Sequence, residues 1–253
     1  MDLSNKVVIV TGAASGIGEA IVELFLESGA KVVAVDIDPK LPAVAAKVAG
    51  DAANRVRCVV GDVSLESTAR AYTREALAAF GRIDVMINNA GIAVIKKIAD
   101  HTPEEWDRVF NINVKSIYWS ARCVVPEMQK TGGGLFLNTG SISSVVGLNE
   151  QGAYGPSKGA VIQITRQMAI DYAVDNIRVN AVCPGTVDTP LLQKAAIDSG
   201  DVNKFLDGLK SAHPIGRIST PREMAAFYRF LASDVATFFT GAILMIDGGF
   251  TSR

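Results

Sequence analysis

The stretch Lys6-Val7-Val8-Ile9-Val10-Thr11-Gly12-Ala13-Ala14-Ser15-Gly16-Ile17-Gly18 decides the fold. Lys6 to Thr11 is a β-branched run that reads as a buried strand. Gly12, Gly16 and Gly18 follow as Ile17, Ile21, Leu24 and Phe25 take up helical spacing. Strand, glycine turn and helix in that order can bring backbone N–H groups, and the partial positive charge of a helix N-terminus, against a phosphate. The spacing is Gly-x3-Gly-x-Gly rather than Gly-x-Gly-x-x-Gly, so by itself the loop is as good a tight turn as a pyrophosphate site.

The same alternation continues along the chain. Short strand-like runs recur at Lys31 to Asp36, Val56 to Asp62, Ile83 to Asn88, Leu135 to Thr139, Ile177 to Val182 and Ala242 to Asp247. Segments of helical period lie between them, as in Val161, Ile164, Met168 and Tyr172. This pattern predicts a single α/β domain over residues 1–253: a doubly wound, seven-stranded parallel sheet with helices on both faces and right-handed crossovers. One segment breaks the rhythm, from about residue 186 to 214, with Leu191, Leu192, Phe205 and Leu209. It follows a strand's carboxyl end, where open α/β sheets bind ligands, and is expected to be a lid over the substrate; a plain surface helical hairpin is the alternative.

Composition narrows the partners. Hydrophobic residues make up 49% of the 253 and charged residues only 20%, which suits a large core of strands covered on both faces. The net charge is −1 with Lys and Arg scattered, so nothing marks the chain for nucleic acid or an anionic membrane. Cys58, Cys123 and Cys183 are odd in number and set in apolar stretches, which points to reduced thiols and a cytoplasmic setting. Two histidines and no cysteine pair at ligand spacing leave no metal site in view. The opening Met1-Asp2-Leu3-Ser4 carries no basic, apolar leader, and no run reaches membrane-spanning length.

The second strand ends at Asp36, eighteen residues beyond Gly18. A carboxylate there can accept the ribose hydroxyls of NAD and would repel a 2′-phosphate, and no Arg or Lys lies in the glycine loop or directly after Asp36. A solvated aspartate opening the Asp36-Ile37-Asp38-Pro39 turn is the simpler alternative.

Taken with further motifs, this loop makes the whole chain resemble the short-chain dehydrogenase/reductase family. The motifs are Asp62-Val63, Asn88-Asn89-Ala90-Gly91, Asn113, Ser141, Tyr154-x3-Lys158, Pro184-Gly185 with Thr189, and Asp247-Gly248-Gly249. The resemblance implies a Rossmann-type fold and an NAD(H)-dependent oxidoreductase that interconverts a secondary alcohol, diol, sugar or cyclic alcohol with its carbonyl form. It implies a cofactor held by Gly12, Ser15, Gly16, Ile17 and Gly18, by Asp36 and Ile37 at the ribose, and by Asp62 and Val63 around the adenine. Asn88, Asn89, Ala90 and Gly91 would line the cleft, with Pro184, Gly185, Val187 and Thr189 at the nicotinamide. The family's Asn-x-Ser-Ser context is altered here to Asn138-Thr139-Gly140-Ser141. Ser141 precedes Tyr154 by the family's thirteen residues; Ser143 and Ser144 are its near neighbours.

The chemistry explains the residue types. Hydride transfer at an alcohol carbon requires a proton to leave or reach the oxygen. A free phenol, with a pKa of about 10, is a poor base at neutral pH unless a neighbour favours the phenolate. Lys158 lies one helical turn from Tyr154 and can supply that charge, or the two are an ordinary surface pair. By resemblance Lys158 also binds the nicotinamide ribose, Asn113 holds a water that relays the proton, and Ser141 orients the substrate oxygen. His213 is the other candidate base, against a loop or interface role; Asp84 and Asp107 have nothing to bring them together; Cys183 reads as a small buried hydrophobe. Asn149, Glu150 and Gln151 are placed to read extra hydroxyls, or form a solvated loop. The family implies a homotetramer or dimer, and the apolar residues Ala160, Val161, Ile164, Met168 and Ala169 spread over more than one helix face. A cofactor-retaining epimerase and a non-enzymatic dinucleotide sensor on the same fold are the competing readings.

Overall fold

The computed structural model describes residues 1–252, residue 198 by its backbone only. Seven strands form one sheet: β1 (Val7–Thr11), β2 (Lys31–Asp36), β3 (Val56–Val60), β4 (Val85–Asn88), β5 (Gly134–Thr139), β6 (Ile177–Pro184) and β7 (Ile243–Ile246). Their order is β3-β2-β1-β4-β5-β6-β7 and every pairing is parallel. The chain winds outward from β1 to β3, returns to set β4 beside β1, and then winds the other way. Loops leaving β1 and β4 therefore part in opposite directions and open a crevice at the carboxyl edge of the sheet.

The helices are α1 (Gly16–Glu27), α2 (Leu41–Ala49), α3 (Glu66–Phe80), α4 (Pro103–Phe110), α5 (Ser116–Lys130), α6 (Tyr154–Asp171), α7 (Pro190–Asp198), α8 (Val202–Ala212) and α9 (Pro221–Ala232). Alternation along the strands feeds two cores. Val8, Val10, Val32, Ala34, Ile87 and Leu137 pack on α1, α2 and α9 through Ile21, Phe25, Leu41 and Tyr228. Val7, Ile9, Val33, Val35, Met86 and Phe136 face α3, α5 and α6 through Tyr72, Met128 and Val161. Each large aliphatic side chain so buried contributes about 1.5–3 kcal/mol. Val32, Val33, Ala34 and Val35 are all fully buried, as a strand covered on both faces requires.

Two helix starts carry a signature that sequence reading passed over. Thr102-Pro-Glu-Glu105 and Thr220-Pro-Arg-Glu223 each close a capping box, threonine and glutamate exchanging bonds across the first turn of α4 and α9. The segment 186–214 contains two consecutive helices, α7 and α8, that contact each other. Among the three cysteines, all free, only Cys183 is fully buried.

The carboxyl edge is tied by buried polar groups. Asn88 donates to Asn138 at 2.8 Å, and Asn138 donates to Thr165 of α6 at 3.0 Å. Next to them, the hydroxyls of Thr139 and Tyr228 bond at 2.7 Å, joining β5 to α9. In so dry a place each bond matters mainly through the cost of leaving its partner unpaired. Asn138→Leu keeps the volume and strands both Asn88 and Thr165; urea unfolding is expected to show a loss of about 2–3 kcal/mol. A loss within error of zero would mean that the ladder does not hold the edge.

Candidate active site at the carboxyl edge of the sheet

The glycine loop is shaped by backbone contacts. Gly16 has φ +58°, and a Cβ on Gly18 would lie 1.9 Å from the carbonyl oxygen of Gly12, so the first turn of α1 can sit on β1 only without a side chain there. Ser15 stands at the N-cap but makes no capping bond, leaving the first-turn N–H groups of Gly16, Ile17 and Gly18 without a side-chain acceptor. Across the crevice, a Cβ on Gly16 would come within 3.1 Å of the Thr189 methyl. The loop after β6, which begins at Pro184 and Gly185, thus reaches over the glycine loop, with Val187 bridged to Ser219 and Thr189 capping α7.

Several residues expected at the cofactor also hold the protein together. Asp36 accepts the N–H of Ala14 at 2.9 Å through one oxygen and that of Asp38 at 3.0 Å through the other, so its carboxylate fixes the glycine loop while each oxygen keeps a lone pair to spare. Asn89 turns its amide back to the carbonyls of Thr11 and Gly12 at 3.0 and 3.3 Å. The Thr11 hydroxyl in turn takes the N–H groups of Asn89 and Ala90. Asp62 accepts from Ser64 at 2.8 Å, Val63 packs on the second core, and Ile37 lies exposed beside Asp36.

The four candidate catalytic residues converge from three elements. Tyr154 opens α6, and Lys158, one turn on and only 4% exposed, donates to the Thr139 carbonyl at 2.7 Å. Ser141 stands near the Tyr154 phenol and favours its ionised form, while its own hydroxyl bonds that of Ser143 at 3.3 Å. Asn113 sits in a π-helical turn (Asn111–Lys115) between α4 and α5. It accepts the Ile92 N–H at 2.8 Å and donates to the Ile92 carbonyl and the Ser157 hydroxyl. A Cβ on Gly91 would lie 3.2 Å from Asn113 Oδ1 and 3.4 Å from Lys158 Nζ, so bare backbone is what lets the asparagine and the lysine share that spot.

The electrostatics of the free protein run against the expectation for a primed base. Burial pushes the Tyr154 phenol up, with Ser141 opposing it, and burial pulls Lys158 down to about 8. The lysine cation lies 5.7 Å from the Tyr154 ring centre and donates to the Thr139 carbonyl.

Four further residues belong to this neighbourhood. Ser143 donates to Gln151 and lies 3.3 Å from the Ser141 hydroxyl. His101 accepts the N–H of Ala153, the residue before Tyr154, at 3.2 Å; its other ring nitrogen is buried without a hydrogen bond, 3.9 Å from the Glu105 carboxylate. Nothing in the sequence marks it, since the contact spans two elements. Cys183 explains the altered Gly140: a Cβ there would lie 2.5 Å from its Sγ, so the thiol occupies the room that a larger residue needs. His213 lies outside the catalytic cluster. Its Nε2 accepts the Thr186 N–H at 3.1 Å, which puts the ring proton on Nδ1, 2.7 Å from the Leu209 carbonyl.

Comparison with known proteins agrees with this geometry. A family model described as enoyl-(acyl carrier protein) reductase matches residues 12–251. The NAD-dependent glycerol dehydrogenase of Listeria innocua is 38% identical over 252 residues, covering 100% of this chain and 96% of that protein. The 2,5-dichloro-2,5-cyclohexadiene-1,4-diol dehydrogenase of Sphingobium indicum is 40% identical, with 99% of each covered. The solved structure of L-sorbose reductase from Gluconobacter frateurii, complexed with NADPH and L-sorbose, superposes with a TM-score of 0.95 at 33% identity, covering 100% of this chain and 99% of that one. With its sheet order, its glycine loop and full-length relatives of this kind, the chain belongs to the short-chain dehydrogenase/reductase family.

Proposed function

We propose that this protein is an NAD(H)-dependent dehydrogenase/reductase that interconverts a secondary alcohol and its ketone, with Tyr154 handling the proton. The observation that carries the reading is a lysine ammonium buried beside the Tyr154 ring, 5.7 Å from its centre, and tied to the Thr139 carbonyl at 2.7 Å. A dinucleotide sensor has no use for a buried cation kept against its solvation, and the named relatives are dehydrogenases and reductases.

The crevice fits a nicotinamide dinucleotide: an uncapped helix start, a glycine cradle and a carboxylate with spare lone pairs follow one another along it. When bound, that cofactor accepts or supplies the hydride. Asp36 favours NAD over NADP, because its charge meets a ribose hydroxyl well and a phosphate badly, and Asp62, Val63 and Ile37 border the adenine. Ser141 holds the substrate oxygen by a hydrogen bond. Tyr154 gives that oxygen its proton in reduction, a task suited to a phenol that burial keeps protonated, and takes the proton in oxidation. Lys158 supports the phenolate and Asn113 anchors the route to solvent. Helices α7 and α8 form the substrate lid. Its two ends, at Thr186 and Leu209, are pinned by the two nitrogens of His213. A homotetramer or dimer built on α5 and α6 accords with the exposed Tyr118 and Ile170 on those helices.

Absorbance at 340 nm with NAD and a panel of secondary alcohols is expected to show NADH formation. The rate should rise toward alkaline pH in oxidation and stay flat through neutrality in reduction. Tyr154→Phe is expected to lose at least about a thousandfold in kcat, and NADP to serve poorly. Full activity in Tyr154→Phe would sink the assignment of the proton to that residue.

Lys158 makes its own prediction. Its pKa of about 8 in the fold lies below its ordinary 10.5, so the unfolded chain holds the proton more tightly. Stability should therefore climb as pH rises from 8 to 10.5, and Lys158→Met should lack that climb; identical pH profiles would show that the ammonium is not penalised. For the lid, His213→Phe cuts both pins, and a KM raised about tenfold or more with kcat changed less is the expected signature. An equal fall in kcat and kcat/KM would instead put His213 in the chemistry.

A further inference from the structure

His101 stands between two helix starts. It follows the short 3₁₀ turn Ile98–Asp100 and immediately precedes Thr102, the N-cap of α4. Its ring reaches across to α6, where Nε2 accepts the Ala153 N–H at 3.2 Å. Ala153 is the N-cap of α6 and Tyr154 its first residue. The N–H at an N-cap is one that the helix itself cannot use. Ala153 is wholly buried, so water does not serve that N–H either, and the imidazole is its acceptor.

The ring is held from behind. Its side chain is 1% exposed and meets Trp106 edge-on, with ring centres 6.2 Å apart. Because Nε2 accepts, the proton of the neutral ring sits on Nδ1, and the Glu105 carboxylate 3.9 Å away favours it on that side. Glu105 is itself fixed, by Lys96 at 2.7 and 2.8 Å and by the capping box of α4. The Lys96 carbonyl accepts the Gly152 N–H at 2.9 Å, and a Cβ on Gly152 would lie 2.6 Å from the backbone nitrogen of Ile98. The segment that carries His101 and the segment that leads into α6 are thus clamped backbone to backbone, and the ring meets Ala153 at a fixed height. Further along α6, Asn113 donates to the Ser157 hydroxyl at 3.0 Å. Tyr154 lies between these two ties.

We propose that His101 is a positioning residue for Tyr154: by accepting the N–H that launches α6, it sets where the phenol meets the reacting oxygen. The proposal rests on the dehydrogenase reading above. The imidazole touches neither substrate nor cofactor and transfers no proton; what the site requires of it is an acceptor at the reach of Nε2. A phenol misplaced by about 1 Å costs the reaction about a hundredfold, whereas the glycine cradle, built on β1 and α1, does not depend on the start of α6.

The test follows NADH formation from cyclohexanol, 2-butanol or glycerol, whichever the wild type oxidises fastest, in His101→Gln and His101→Asn. Both variants are neutral carboxamides without the ring, and they differ in reach: glutamine carries its oxygen to the place of Nε2, while asparagine stops near that of Nδ1. His101→Asn is expected to lose about ten- to a hundredfold in kcat, with KM and the NADH dissociation constant, read by NADH fluorescence, within about threefold of wild type. Its solvent isotope effect on kcat should rise, because proton transfer becomes limiting. His101→Gln is expected to keep kcat within about threefold of wild type. Equal kcat in the two variants, high or low, would overturn the proposal and leave the dehydrogenase reading intact. So would a His101→Asn protein that is unfolded or loses NADH affinity in step with kcat, which would make the histidine a support of the whole cleft. A wild type that binds NADH yet oxidises none of the alcohols would overturn both.

Discussion

A cation held out of water at Lys158 is the constraint around which the site is arranged. An ammonium that is 4% exposed must find its acceptors in fixed places, and the one it has is the carbonyl of Thr139, the last residue of β5. That carbonyl is steady because its own residue is bonded to Tyr228 and its neighbour Asn138 to Asn88 and Thr165. The polar ladder at the carboxyl edge is thus the foundation of Lys158 as much as a feature of the sheet.

The crevice economises on residues. Asp36, Asn89 and Thr11 each hold the glycine loop or the loop after β4 with bonds inside the protein. A group that both shapes a loop and faces a ligand is preorganised, so little ordering is left to be done on binding. Mutating such a residue disturbs the loop as well, so a defect at Asp36 reports loop geometry whatever else it reports.

The doubly wound sheet was legible because strand and helix periods alternate from Lys6 to Asp247, and because glycines sit where β1 must turn into α1. That Tyr154, Lys158 and Ser141 are neighbours was legible for a local reason: Tyr154 and Lys158 share a helix face, and Ser141 follows β5 at a fixed offset. What escaped are the contacts between elements far apart in sequence. The Nε2 of His101 beneath Ala153, the thiol of Cys183 filling the gap at Gly140, and the bond from the Thr186 N–H to His213 Nε2 have no periodic or local signature. The direction of the Tyr154 shift escaped as well, because burial is a property of the packed cleft. The two capping boxes were there to be read, a threonine followed three residues later by glutamate.

The π-helical turn at Asn111–Lys115 joins α4 and α5 without interrupting the helical run. One turn there holds an extra residue, so the faces of the two helices are offset by roughly the 100° that separates neighbours on an α-helix. Asn113 lies within that turn and is held there by Ile92 and Ser157. The segment is therefore sensitive to length more than to composition: removing one residue would restore a regular α-helix and rotate Asn113 or the α5 core face out of place, while many substitutions would leave the register intact. Insertions and deletions, ordinarily tolerated in the loops of such a fold, meet here a helix that counts its residues.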